Sequence, residues 1–88
     1  MQSRDTEEIT PGQVRAARAF LRWSAHDLAE AASLGIATIR RAEGQEDRLG
    51  VTAANAKALR SALEAQGIEF IGGEDPGVRL RRGALMAG

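Results

Sequence analysis

The sequence predicts a mostly α domain, four to five short helices closed by a short C-terminal β-hairpin, and three observations carry that prediction. Apolar residues make up 43% of the 88-residue chain but aromatics only 3%, so the core is helical, filled by alanine and a few Leu, Ile and Phe. Helix-capping signatures stand ahead of segments with helical apolar spacing as far as residue 66. Beyond Gly67 the apolar residues change to the two-residue period of strands.

A chain of this length holds one domain with one modest core. Residues 1–9 have no apolar periodicity and read as a flexible N-terminal arm. The helical domain spans 10–66. Thr10-Pro11-Gly12-Gln13 has the form of a capping box, with Thr10 as N-cap, Pro11 at the first helical position and Gln13 reaching back to the Thr10 amide. In the helix that follows, Val14, Ala17, Phe20 and Leu21 recur at helical spacing, and Trp23 closes the segment. Ser24 and Asp27 repeat the capping pattern for a second helix, from about Ala25 to Ala32, with Leu28, Ala29 and Ala32 on its apolar face.

Ser33-Leu34-Gly35 then interrupts with residues suited to a tight turn, and a third helix runs from Ile36 to about Glu43. Gly44 to Gly50 is polar and glycine-bounded, a loop. Thr52 caps a fourth helix whose face includes Ala58, Leu59, Ala62 and Leu63, and Gly67 is its C-terminal stop. The β-hairpin occupies 67–82: Ile68-Glu69-Phe70-Ile71, a turn over Gly72 to Gly77, and Val78-Arg79-Leu80-Arg81. Residues 83–88 read as a frayed tail.

An isolated two-stranded hairpin is marginal in water, so it either packs on a helix or pairs with a second copy of itself. A homodimer with Ile68, Phe70, Ile71, Val78 and Leu80 at its interface is expected on that ground, an arm that orders on a partner being the alternative.

Two short helices joined by a three-residue turn have the form of a helix-turn-helix, with Ala29 where the helices cross and Leu28, Leu34 and Ile39 filling the space beneath. An ordinary helical hairpin shows the same spacing. The stretch from Val14 to Leu63, and above all Trp23-Ser24, Asp27 to Ala32 and Ala37 to Glu43, resembles the XRE family, the Cro and C1 repressor-like helix-turn-helix domains. That resemblance covers well over half the chain.

It implies a transcriptional regulator, a repressor by preference, whose helix 36–43 enters the major groove of a double-stranded DNA operator. Ile36 and Ala37 then stand at the tip, able to meet a thymine methyl, and Arg41 can fork to guanine O6 and N7. Thr38, Arg40, Gln45 and Arg48 are the implied phosphate partners. The resemblance also implies a structural ion pair between Arg18 of the first helix and Glu43. Three positions depart from the family pattern: Ala25 where Gln often holds a phosphate at the helix N-terminus, Ser33 for the usual turn Gly, and Gly35 for the usual Ser cap.

Twelve basic and twelve acidic residues balance to a formal charge of zero, less basic than a nucleic-acid binder usually is. The distribution offsets this in part: Arg40 and Arg41 adjoin, Arg79, Arg81 and Arg82 cluster, and Asp5, Glu7 and Glu8 fall in or beside the arm. Lys57 aside, every base is arginine, the side chain suited to phosphate and guanine.

The chain has no cysteine and one histidine, His26, so neither a disulfide framework nor a metal centre is expected, and no cofactor. No nucleophile is paired with a base, which argues against an enzyme. No apolar run reaches a membrane span and the N-terminus lacks a signal-peptide pattern, so the expectation is a cytoplasmic protein without membrane contact. The rival to DNA binding is a helix-turn-helix-derived antiactivator, a module that grips a transcription activator protein instead; zero net charge, Ala25 and the apolar tip Ile36-Ala37 suit it. An antitoxin is a third reading, for which residues 72–88 are short.

Overall fold

The computed structural model describes residues 8–45 and 48–81. Among them are four helices, α1 (Pro11–Leu21), α2 (Ala25–Ala32), α3 (Ile36–Glu43) and α4 (Ala53–Glu64), then two antiparallel strands, β1 (Ile68–Ile71) and β2 (Gly77–Leu80). The second strand thus starts one residue earlier than its apolar alternation suggests. Most of the expected arm, residues 1–7, and the end of the chain from residue 82 lie outside the described residues.

Local chemistry sets the helix starts. Thr10 Oγ1 accepts from Gln13 N at 3.2 Å while Gln13 Oε1 accepts from Thr10 N at 2.8 Å, and Ser24 and Asp27 exchange the same two bonds at 3.0 and 2.8 Å. Thr52 Oγ1 takes the Asn55 amide at 3.1 Å, whereas Gly35 starts α3 with no side-chain cap. Ile9, expected in the arm, is instead buried: it precedes the N-cap, Val14 sits at the fourth helical position, and both belong to the core as the two halves of a hydrophobic staple.

The ends of α1 and α2 are set by left-handed residues. Arg22 and Ser33 both have φ of 59°, and the amides that follow, Trp23 N and Leu34 N, reach back to Arg18 O and Ala29 O at 3.0 and 2.9 Å, the bonding of a Schellman motif. Gly67, with φ of 96°, turns the chain out of α4 into β1.

Leu28, Ile39, Leu59, Leu63, Val14, Ala17 and Ala42 are fully enclosed, and Ala29 keeps only 6% of its surface, so α2 and α3 pack closely through small side chains. Phe20 departs from expectation: it is 51% exposed. Val14 and Ala17, with half-buried Leu21, make the stripe of α1 that packs on the core, and Phe20 falls on the neighbouring stripe with Gln13 and Ala16.

The hairpin register, Ile68 with Leu80 and Phe70 with Val78, puts four apolar side chains on one face, and that face is held by α1 and α4. Ile68, Phe70, Val78 and Leu80, expected at a dimer interface, therefore serve the chain's own core. Ile71 is on the opposite face with Glu69 and Arg79. Two polar contacts fasten the hairpin: Gln13 Nε2 donates to Ile71 O and Gly77 O, both at 2.9 Å, and the Arg60 guanidinium lies 5.4 Å from the centre of the Phe70 ring.

Candidate nucleic-acid interface

The α3 helix has one buried and one open side. Ile39 and Ala42 are buried, Ile36, Thr38 and Glu43 half-buried, and Ala37, Arg40 and Arg41 exposed. The last three stand at i, i+3 and i+4, which places them on a single face turned to solvent. Of the residues expected at a DNA surface, α3 thus brings Ala37, Arg40 and Arg41 together, with Ile36 and Thr38 flanking them.

The C-terminal end of α3 is tied to α1 by the ion pair that the resemblance implies. Arg18 Nε and Nη2 donate to the two Glu43 carboxylate oxygens at 2.7 and 2.8 Å, and Arg18 Nη1 donates to Trp23 O at 2.9 Å. A planar fork matched to a carboxylate fixes direction as well as distance. The hydrogen bond to Glu43 raises the Arg18 pKa; partial burial works against that shift, and the attraction of the carboxylate adds to it. Arg15 Nη1 adds a bond to Glu43 O, satisfying a carbonyl at the helix end. With the Glu43 charge engaged by Arg18, the exposed charges on α3 are those of Arg40 and Arg41.

Gln45 and Arg48 sit apart from that face. Both are exposed and line a groove of about 770 Å³ whose other wall is α4, including Lys57. The Gln45 amide folds over Gly50, where φ is 69° and a side chain would meet Gln45 Nε2 at 2.5 Å. The loop therefore joins Gln45 and Arg48 to Lys57, a cation that sequence reasoning noted only as the lone lysine. Thr52 as N-cap gave a usable signal, since it sets which side of α4 Lys57 occupies. Arg15 was missed for a different reason: nothing local to it announces a carbonyl 28 residues away.

His26 is exposed in the first turn of α2. Among the described residues no group of His, Asp and Glu is arranged to hold a metal ion, and no helix is long and apolar enough to cross a membrane. No family model, no curated protein and no solved structure matches this chain.

Proposed function

We propose that this chain is a sequence-specific DNA-binding transcriptional regulator, a repressor by preference, that binds its operator as a homodimer with α3 in the major groove. The observation that carries the proposal is the exposed face Ala37, Arg40 and Arg41 on a short helix whose end is clamped by Arg18 and Glu43. Sequence readout needs base-reading side chains held in fixed register, because a rotated helix points them at the wrong base. In this reading α2, the turn 33–35 and α3 form a helix-turn-helix. Arg41 reads guanine and Ala37, with Ile36 beside it, meets a thymine methyl. Thr38, Arg40, Gln45 and Arg48 hold phosphates.

The test is binding of the purified protein to the DNA upstream of its own coding sequence at two salt concentrations, with a scrambled duplex of equal length as control. Preference for the upstream duplex with a steep loss on raising salt supports the proposal. Equal, weak binding to both duplexes at low salt overturns it in favour of the antiactivator reading, for which the zero net charge and the apolar tip of α3 speak.

A further inference from the structure

We propose that the groove between α4 and the loop before it is a binding site for a small amphipathic carboxylate, an apolar chain that carries one anionic head group. The site itself goes beyond the DNA reading; its regulatory consequence rests on that reading.

Helical spacing builds one wall. Ala53, Ala56, Lys57, Arg60, Ser61 and Glu64 stand at i, i+3, i+4, i+7, i+8 and i+11, a single stripe that follows α4 for three turns, or roughly 16 Å. The opposite wall is the loop, with Leu49, Gly50 and Val51. Ile9 and Leu49, which keep 5% of their surface each, close the floor, and half-buried Val51 and Ala56 continue it. A volume of about 770 Å³ is the size of small-molecule sites, which pair an apolar lining with a few polar groups.

Charge is distributed unevenly around that floor. Glu64 Oε2 accepts from Arg60 Nε at 2.9 Å, so these two charges offset each other, and the Arg60 guanidinium also lies against the Phe70 ring. Arg48 and Lys57 are exposed, and neither is bonded to another described residue. Against these two cations the described lining sets one further acid, Glu8. Glu46 and Asp47 of the loop lie outside the described residues. Gly50, with φ of 69° and no side chain, leaves room for the Gln45 amide against the loop, where Nε2 adds a neutral donor to the lining.

A bare phosphate would use the cations and leave the floor idle, and an uncharged apolar molecule would do the opposite. A carboxylate on a short alkyl chain uses both, its head group taken by Arg48, Lys57 and the Gln45 amide and its chain laid on Ile9, Leu49 and Val51. The loop bearing Gln45 and Arg48 leaves α3 directly after Gly44. Under the proposed function these two residues hold phosphates, so a carboxylate that engages them takes them from the DNA backbone and lowers operator affinity.

Octanoate is the probe, titrated into the whole chain and followed by the amide NMR resonances. Saturable shifts centred on Gly50, Val51, Ala53 and Ala56 are expected. Hexanoate should bind more weakly by up to about fifteenfold, the worth of two buried methylenes. Lys57→Gln, at an exposed position, should keep the helical circular dichroism and weaken octanoate by up to about fivefold, the worth of an exposed ion pair. Octanol and octyltrimethylammonium, with the same chain and no anion, should both bind less tightly than octanoate. Shifts that do not saturate or that centre elsewhere, an octyltrimethylammonium affinity equal to that of octanoate, or a Lys57→Gln protein with wild-type affinity overturns the site. A protein that takes octanoate in the groove but ignores the upstream duplex sinks the DNA reading and leaves the site standing. Saturating octanoate that leaves the affinity for that duplex unchanged overturns the regulatory consequence alone.

Discussion

Arg18 and Glu43, 25 residues apart in sequence, meet in a two-pronged hydrogen-bonded pair that joins the last turn of α1 to the last residue of α3. The third Arg18 donor goes to Trp23 O, just past the end of α1. One guanidinium therefore fixes the end of α3, which carries the exposed arginines, and the exit of α1. The carboxylate keeps 10% of its side-chain surface and the guanidinium 23%, so water screens the pair only in part.

Removing one member should then cost more than a surface pair does. Arg18→Ala is expected to lower unfolding free energy by about 2 kcal/mol, a figure reduced from the fully buried case because Arg18 remains partly wet. Arg18→Lys keeps the charge but not the fork and should lose about half of that. Urea denaturation measures both. The raised Arg18 pKa means that its contribution is complete below the unfolded-state value and lost only as pH climbs through the folded one, so on this account the Arg18→Ala loss holds constant through neutral pH.

Gln13 does two jobs with opposite ends of one amide: its oxygen caps α1 and its nitrogen closes the mouth of the hairpin. The two can be separated. Gln13→Ala loses both and should cost about 2 to 3 kcal/mol. Gln13→Glu keeps the capping acceptor but faces the carbonyls of Ile71 and Gly77 with a carboxylate, and should be at least as destabilised at neutral pH. A Gln13→Glu protein as stable as wild type would show that only the cap matters.

What was legible in the sequence is what is local. Thr10 with Gln13, and Ser24 with Asp27, announce helix starts because both partners of the cap lie within one turn. The nitrogen of Gln13 could not be foreseen, since its acceptors lie 58 and 64 residues on and are set by how the hairpin packs. The cover that Phe20 and the hairpin would find was not legible for a related reason. Apolar identity says that a side chain seeks cover, but only the packing decides which stripe of α1 gets it and that α1 and α4 take the face of Ile68, Phe70, Val78 and Leu80. Within the candidate site, both the α3 residues and the Arg18 and Glu43 pair were named through the family resemblance, and that Ala37, Arg40 and Arg41 share one exposed face is seen only in the folded chain.

Ser33 adopts the left-handed conformation at the end of α2 that glycine adopts without strain. The turn holds its shape because Leu34 N and Ser33 N are bonded back to Ala29 O and Glu30 O at 2.9 and 3.2 Å. Ser33 is exposed, so replacing its side chain leaves no hole. Ser33→Gly is expected to stabilise the protein by about 1 kcal/mol, or about 4 to 8 °C in Tm for a domain of this size, as read by thermal melting. An unchanged or lowered Tm would mean that flexibility gained in the unfolded chain cancels the relief.

Arg41 and Arg48 separate base reading from phosphate holding under the proposed function. Arg41 shares the exposed face of α3 with Ala37 and Arg40, whereas Arg48 lies on the loop beside Lys57. Arg41→Ala should cost about 1 to 3 kcal/mol on the preferred duplex and little on a scrambled one, since a forked bond to guanine is lost only where that guanine stands. Arg48→Ala should weaken both duplexes alike and flatten the salt dependence, by roughly one unit of slope per copy. Competition titrations at several salt concentrations read both effects together. Equal losses on the two duplexes for Arg41→Ala would remove it from the groove, and an Arg48→Ala slope identical to wild type would remove the loop from the phosphate backbone. If neither variant changed DNA binding while Arg41→Ala weakened capture of a transcription activator, the exposed face of α3 would be a protein-binding surface.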